Sequence, residues 1–148
     1  MIRYAHTNII AKDWKQLVDF YVKVFGCDPV PPQRSQAGQW LDKGTGVEKA
    51  ALEGMHLRLP GHGENGPTLE VYSYQNMLPQ SPVKPNQRGI GHLAFEVDHL
   101  DKVVELALKH GASKHGEVSQ HKVAGVGTIE FIYIADPEGN IIELQHWS

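Results

Sequence analysis

Hydrophobic and polar positions follow first the pattern of a strand and then the spacing of a helix, and this succession occurs twice along the chain. Residues 3–10, RYAHTNII, are rich in β-branched and aromatic side chains and predict a strand. An apolar stripe at helical spacing follows, which predicts a helix capped by Asp13, with Gln16 at the capping-box position and Gly26 at its end. The stripe consists of Leu17, Phe20, Tyr21, Val24 and Phe25.

The second occurrence begins at residues 91–97, GHLAFEV, which again predict a strand. Asp98 can cap the helix that follows, and Gly111 terminates it. The apolar side of this helix consists of Val103, Val104, Leu106, Ala107 and Leu108. His6 lies seven residues before its capping aspartate and His92 six residues before its own, so the two units have nearly the same register.

Further strand-like segments complete each unit as β-α-β-β-β. They are predicted at 49–59 and 67–74 in the first unit, at 126–135 and 140–147 in the second, and, as short strands, near 28–35 and 113–121. Residues 76–88 contain three prolines and predict a linker between module one, about 1–75, and module two, about 89–148. Residues 29–47 predict a long loop or insertion, either a functional cover or a surface excursion.

Composition narrows the class of protein without identifying it. The 148 residues suit one compact domain, and 41% are hydrophobic and 21% charged. A net charge of −3 without any Lys/Arg-rich run argues against nucleic acid and anionic membranes as partners. We expect neither a membrane span nor a signal peptide. Cys27 is the only cysteine, which favours the reducing cytoplasm.

Four side chains of the types that bind metal ions occur at equivalent positions in the repeat. Glu70 in TLEV and Glu143 in IIEL occupy equivalent strands, as do His6 and His92. Each residue alone is explained by a solvated strand face or an ordinary hydrogen bond. Two imidazoles and two carboxylates at matched positions instead favour a mixed nitrogen and oxygen site for one divalent metal ion.

The other histidines fit this pattern less well. His56 is a strand candidate, but its counterpart in the second unit, near Thr128–Glu130, offers no imidazole. His146 lies three residues after Glu143, so on a regular strand it points to the opposite face. The remaining histidines are predicted in loops or at helix ends.

The paired modules resemble the vicinal oxygen chelate superfamily, also called the glyoxalase / bleomycin resistance / dioxygenase group. The stretches that carry the resemblance are HTNIIAKDWKQLVDFYVKVFG, TLEVYSY, GIGHLAFEV and DPEGNIIELQHW. The resemblance implies an α+β fold in which two β-α-β-β-β modules form an open, half-barrel mixed sheet with the site on its concave face. It also implies His6, Glu70, His92 and Glu143 as ligands of one divalent ion, with Zn, Ni, Co, Mn or Fe all compatible.

Departures from the family's branches bear on the chemistry. Glyoxalase I enzymes place an arginine four residues beyond the first ligand to bind the glutathione carboxylate, and this chain has Ile10 there. Glutathione adducts are therefore expected to be poor substrates unless Arg58 or Arg88 compensates. Epimerases of the family usually have glutamine at the second ligand, where this chain has Glu70.

The resulting functional hypothesis is a glyoxalase-type, metal-dependent isomerase or lyase that acts on a small α-hydroxycarbonyl or related compound. Glu143 and Glu70 are the candidate proton-transfer groups, and the resemblance favours Glu143 as the base. Alternation along the strands places Asn8, Tyr72 and Glu96 on the ligand face as candidate substrate contacts. The alternatives are an iron-dependent ring-cleaving dioxygenase and a non-catalytic small-molecule binding protein. The resemblance also implies a homodimer, because an open sheet would leave apolar surface exposed.

Overall fold

The computed structural model describes residues 1–148, which divide into two compact units, Met1–Gln80 and Ser81–Ser148. The first unit consists of β1 (His6–Ile10), α1 (Trp14–Phe25), β2 (Asp28–Ala37), α2 (Gln39–Thr45), β3 (Ala51–Arg58) and β4 (Thr68–Tyr74). The second consists of β5 (Leu93–Glu96), α3 (Leu100–Lys109), β6 (Ser113–Lys114), β7 (Ser119–Val123), β8 (Gly127–Ala135) and β9 (Ile141–Trp147). Residues 76–88 carry no helix or strand, as predicted.

Each unit contains one open mixed sheet, and the two sheets repeat the same strand order. The first sheet runs β1-β4-β3-β2, and the second runs β5-β9-β8-β6 with β7 also paired to β8. β1 is parallel to β4, β5 is parallel to β9, and all other pairs are antiparallel. The predicted α+β class with mixed sheets is confirmed, although β1 begins at His6 rather than at residue 3.

Helix α1 has the predicted ends. The Asp13 carboxylate accepts hydrogen bonds from the main-chain N–H groups of Lys15 and Gln16, and Gly26 adopts the left-handed conformation that closes the helix. The apolar face of the helix lies against β3 and β4. The largest side chains buried in this layer are Leu17, Phe20, Tyr21, Leu57, Leu69 and Val71. This packing occupies one face of the first sheet and leaves the other for the site.

Helix α3 differs from its prediction at its start. The N-cap residue is His99 and makes no side-chain capping bond, so the prediction of an Asp98 cap is wrong. The buried positions of the helix are Leu100, Val104 and Ala107, whereas Leu108 is 38% exposed and not part of the packed side. No helix in the chain combines the length and the apolar character that crossing a membrane requires.

The predicted long loop at 29–47 is wrong, because most of it is regular structure, whereas the short strand predicted near 28–35 is present as part of β2. Strand β2 spans ten residues at the edge of the first sheet, and helix α2 follows it. The pairing of β2 with β3 is interrupted between Val30 and Arg34, where Pro31 and Pro32 lie. Edge strands tolerate such an interruption, because an edge residue need not donate to a neighbour on its outer side.

The DPEGN segment is a turn held by one buried carboxylate. Asp136 is 3% exposed and accepts hydrogen bonds of 2.9 Å from the main-chain N–H groups of Glu138 and Asn140. The Asn140 side chain donates to the same carboxylate. The turn connects β8 to β9 and thereby fixes the start of the strand that carries Glu143.

Candidate functional site

Strand register brings three of the polar residues of the first unit to one face of its sheet. Glu70 on β4 is paired with Asn8 of β1 on one side and with His56 of β3 on the other. Paired residues share a face, and so do residues two apart on one strand. His6, two residues before Asn8, therefore faces the same way as Glu70 and His56, opposite to helix α1.

The predicted pair His6 and Glu70 is in contact. The Nδ1 atom of His6 lies 3.3 Å from Oε1 of Glu70, with side-chain exposures of 46% and 11%. Glu70 is one of the few charged residues buried in the chain, at 9% exposure. A carboxylate so enclosed needs hydrogen-bond donors, and an accessible imidazole beside it can also bind a ligand from solvent.

His56 belongs to this group, although the repeat predicts no role for it. Its Nε2 atom lies 3.2 Å from Oε1 of Glu70 and forms a 2.5 Å hydrogen bond with the Tyr72 hydroxyl. The Tyr72 hydroxyl in turn is hydrogen-bonded to the Glu70 side chain. The carboxylate accepts only, so Nε2 carries the ring proton and the phenol donates its own to Glu70. Three side chains therefore hold Glu70: His6, His56 and Tyr72.

Burial sets the protonation of this cluster. It lowers the pKa of His56, and Arg34 and His6 act in the same direction against the raising effect of Glu70. Burial also raises the pKa of Tyr72 to about 12, with the Glu70 charge adding to the effect. The imidazole is thus kept neutral and the phenol protonated near neutral pH, which matches the hydrogen bonds described above.

Helix α2 encloses the site on one side. Leu41 of α2 packs with Ala50, Leu52 and Tyr72 in a small buried cluster. Leu52 and Tyr72 lie on the same sheet face as Glu70, since Leu52 pairs with Tyr74 and Gly54 pairs with Tyr72. The segment predicted as a possible cover therefore buries the Tyr72 ring on the site face.

The second unit contains a matching pair. His92 immediately precedes β5, and its Nε2 atom lies 2.9 Å from Oε2 of Glu143 on β9. The Tyr133 ring of β8 lies beside His92, with the ring centres 4.9 Å apart and the planes inclined by 42°. Burial and the Glu143 charge raise the pKa of Tyr133, so its hydroxyl stays protonated.

The two registers show that the pairs are equivalent in the repeat. Asn8 pairs with Glu70 and Ala94 with Glu143, and each histidine lies two residues earlier on the chain. Across the next strand, His56 pairs with Glu70 and Tyr133 pairs with Glu143. The counterpart of His56 is thus Tyr133, and the predicted counterpart near Thr128–Glu130 is wrong by several residues.

The remaining predicted residues have the following environments. Asn8 is exposed and donates to the main-chain oxygen of Glu70 at 3.3 Å, which leaves its side-chain oxygen available. Tyr72 contributes its hydroxyl to the Glu70 cluster. Glu96 is exposed and pairs with Gln145, on the face of Glu143. His146 lies on the other face and bonds to the Val97 main-chain oxygen at 2.9 Å, as its spacing predicted.

The donor atoms fit a divalent metal ion by chemistry and by spacing. Two ligands bound at about 2.1 Å to one ion, at angles between a right angle and the tetrahedral value, lie about 3.0–3.4 Å apart. The nitrogen–oxygen separation of 3.3 Å in the first pair lies within this range, and the 2.9 Å of the second pair lies just below it. No group of three or more His, Cys, Asp and Glu side chains is arranged as a metal site. The Nε2 atom of His56 is instead engaged by Tyr72.

Comparison with known proteins identifies the family. The profile of the Glyoxalase/Bleomycin resistance protein/Dioxygenase superfamily matches residues 3–144, and the chain belongs to this superfamily. Its members include glyoxalases, dioxygenases and fosfomycin resistance enzymes. Among curated proteins, none matches the chain significantly.

Solved structures share the fold at low sequence identity. A glyoxalase family protein from Bacillus cereus is 21% identical, with a TM-score of 0.85 over 99% of this chain and 95% of its own. A family enzyme from Burkholderia phytofirmans is 16% identical, with a TM-score of 0.60 over 97% and 98%. The fosfomycin resistance protein FosX from Listeria monocytogenes, solved with Mn(II) and sulfate, is 15% identical, with a TM-score of 0.54 over 100% and 95%.

Proposed function

We propose that the protein is a metal-dependent isomerase or lyase of glyoxalase type that acts on a small α-hydroxycarbonyl or related compound. One divalent ion per chain would be held by His6, Glu70, His92 and Glu143. The observation that carries the proposal is the repetition of one imidazole–carboxylate contact at equivalent strand positions in both units. A solvated strand face does not require such a match.

The two carboxylates are held differently, which supports different roles for them. Oε1 of Glu70 is contacted by His6 and His56, and Tyr72 donates to the same carboxylate. Glu143 is contacted by His92 through Oε2, which leaves Oε1 without a hydrogen bond. A carboxylate held by several donors is a fixed ligand, whereas one with a free oxygen can accept a proton. We therefore assign ligation to Glu70 and proton transfer to Glu143.

These roles define how the residues would carry the reaction. A bound divalent ion would supply the positive charge that acidifies a C–H bond beside a substrate carbonyl. Oε1 of Glu143 would accept that proton and return it at the neighbouring carbon, while Oε2 keeps its place beside His92. The Tyr72 hydroxyl and His56 keep Glu70 in place. Helix α2 keeps solvent from the Tyr72 side of the cluster.

The test is turnover that depends on added metal. The purified protein would be stripped with chelator, reloaded separately with Zn, Ni, Co, Mn and Fe(II), and assayed with α-oxoaldehyde hemithioacetals, α-hydroxyacyl thioesters and catechols. We expect activity on one of the first two classes, lost on chelation and restored by a divalent ion. Oxygen uptake with catechols and Fe(II) would instead establish a ring-cleaving oxygenase. Tight ligand binding without turnover would establish a binding protein.

We also propose that the chain is a homodimer. Several large apolar side chains are exposed, namely Ile10 at 45%, Ile90 at 85%, Val126 at 70% and Leu78 at 90%. Association of two copies would remove such surface from water, at about 25 cal/mol per Å² of apolar area. Sedimentation equilibrium at micromolar concentration is expected to give twice the chain mass, and a monomer would contradict the proposal.

A further inference from the structure

Arg34 is a partly buried cation without an acidic partner. It lies on β2 at intermediate exposure, and its one hydrogen bond runs from Nη1 to the main-chain oxygen of Pro32. None of the ion pairs in the chain includes it. A guanidinium has five N–H donors, and taking it partly out of water without a carboxylate leaves most of them unsatisfied by protein groups.

Strand register places Arg34 on the face of the candidate site. Arg34 pairs with Gly54, Gly54 pairs with Tyr72, and Tyr72 pairs with Ile10, so these four residues form one row across the first sheet. The neighbouring row contains His56, Glu70 and Asn8. With strands about 4.8 Å apart, the Arg34 backbone lies about 10 Å from that of Tyr72. Because paired residues share a face, Arg34 belongs to the sheet face that carries His56 and Glu70.

Gly54 shapes the surface between Arg34 and Glu70. A Cβ at Gly54 would lie 2.2 Å from Cδ1 of Tyr72, so the Tyr72 ring occupies the space that a side chain on β3 would take. The Tyr72 ring therefore covers the β3 position next to Arg34 and leaves no side chain there to pair with the guanidinium.

The repeat does not account for this cation. Because His56 corresponds to Tyr133, Gly54 corresponds to Phe131, which is paired with Ser119. The second unit therefore has an aromatic side chain and a hydroxyl where the first has a glycine and a guanidinium. A residue required only for folding of the module would be expected in both units, and Arg34 is specific to one.

We propose that Arg34 binds an anionic group of the substrate, a carboxylate or a phosphonate, at the β2 side of the site. This inference rests on the proposed function and adds to it the charge class of the substrate. The fork of N–H groups on a guanidinium matches two oxygens of either anion. Ile10, at the other end of the same row, cannot supply this contact, so the anion lies toward β2 instead of β1.

The experiment measures anion binding by the metal-free full-length chain. Phenylphosphonate and benzoate are the probes, and benzamide is the uncharged match of benzoate. Isothermal titration calorimetry gives the dissociation constants of the wild type, Arg34→Ala, Arg34→Lys and Arg58→Ala, and the NMR signal of the Arg34 Nε–H group shows whether the anion reaches this side chain in the wild type. Arg58 is the matched control. It is also a cation on this face, but it lies at the end of β3, where it pairs with Asp28.

We expect saturable binding of at least one anion and none of benzamide. Arg34→Ala is expected to weaken binding at least about tenfold, the loss of one charge-assisted hydrogen bond. Arg34→Lys should recover part of it, because the charge remains and the fork is lost. Arg58→Ala should change it less than about twofold, as removal of a more distant, screened charge does.

Equal affinity of the wild type and Arg34→Ala, or no binding of either anion by the wild type, would overturn the inference. Its failure is separable from that of the proposed function. If the protein takes up no metal but binds an anion through Arg34, the anion subsite is supported and the metal-dependent reaction is contradicted. Metal-dependent turnover of uncharged substrates only, with no anion binding, would do the reverse.

Discussion

Glu70 and Glu143 are equivalent by register, yet their surroundings differ by single residues. His56 contacts Glu70, whereas Tyr133 at the same place in the second unit contacts the His92 ring and leaves Glu143 with one donor. Two differences between the repeats, His56 against Tyr133 and Tyr72 against Gln145, therefore distinguish a carboxylate held by three side chains from one with a free oxygen. These hydrogen bonds support the different roles that we propose for the two carboxylates.

Glutamine at each position tests this difference. Glu143→Gln keeps a carbonyl oxygen for ligation but cannot accept a proton, so it should retain most of its metal and lose at least about 100-fold in turnover. Glu70→Gln should lose less turnover, because its role is ligation. Metal content and kcat of both variants are to be measured on the substrate that the screen identifies.

Each variant serves as the control for the other, since the change in size and charge is the same. Wild-type turnover by metal-loaded Glu143→Gln would assign proton abstraction to another group, with Glu70 and Glu96 the first to consider. A larger loss in Glu70→Gln than in Glu143→Gln, at equal metal content, would reverse the assignment made here.

Cys27 is predicted to be inert in the folded protein. The residue is 1% exposed, and burial, with a contribution from Asp28, raises the pKa of its thiol to about 12. At pH 8 the native thiol is therefore protonated and inaccessible, and only the thiolate reacts. Alkylation by iodoacetamide should be at least about 100-fold slower in buffer than in denaturant, where the thiol titrates at about 8.5. Comparable rates under both conditions would contradict this burial.

Site residues that recur in the repeat could be predicted from the sequence, whereas those whose position depends on strand pairing could not. His6 and Glu70, like their second-unit counterparts, could be found because they recur with similar spacing. His56 and Arg34 could not, because their importance depends on which residue of the neighbouring strand they oppose. A shift of the assumed register by a few residues hid the correspondence of His56 with Tyr133.

Among the elements, α2 was not predicted, and β2 was predicted only in part, as a short strand near 28–35. Their prolines and glycines indicate turns when read locally, and the strand exists because β3 offers a partner edge. Tertiary pairing overrides such local preferences at sheet edges. Helix α1, in contrast, was predicted closely, because an Asp cap, an apolar stripe and a terminal glycine all lie within its own sequence.

Strand β3 depends on the absence of a side chain at Gly54. A Cβ there would lie 2.0 Å from the main-chain oxygen of Val71, and backbone cannot move aside as a flexible side chain would. Gly54→Ala should therefore destabilise the protein by about 1–3 kcal/mol, the usual cost of overpacking. Urea denaturation gives the change in the free energy of unfolding.

Gly44→Ala is the matched control for this prediction. Gly44 lies in α2, and a Cβ there would meet no atom within 4 Å. Alanine in a helix is better than glycine by about 0.5–1 kcal/mol, so this variant should be neutral or stabilised. Equal stability of Gly54→Ala and the wild type would show that β3 and β4 can separate to admit the methyl group.

At the scale of the whole molecule, two copies of one unit explain both the fold and the candidate site. Each copy buries one face of a mixed sheet under a helix and keeps an imidazole and a carboxylate on the other face. Membership of the superfamily follows from nearly the full chain, since the matched residues are 3–144. The metal, the substrate, the dimer and the cytoplasmic location stay predictions.

The stoichiometry of metal binding tests whether both units serve one ion. If one ion uses both pairs, the wild type should bind about one divalent ion per chain, and His6→Ala and His92→Ala should each weaken it at least about 100-fold. If each pair bound its own ion, the wild type would hold two, and each variant would keep one. Elemental analysis after dialysis, with competition by a chelator, distinguishes these results. His121→Ala, an exposed imidazole on β7, is the control and should keep wild-type metal. Full metal in both His6→Ala and His92→Ala would show that the two pairs are ordinary hydrogen bonds between strands.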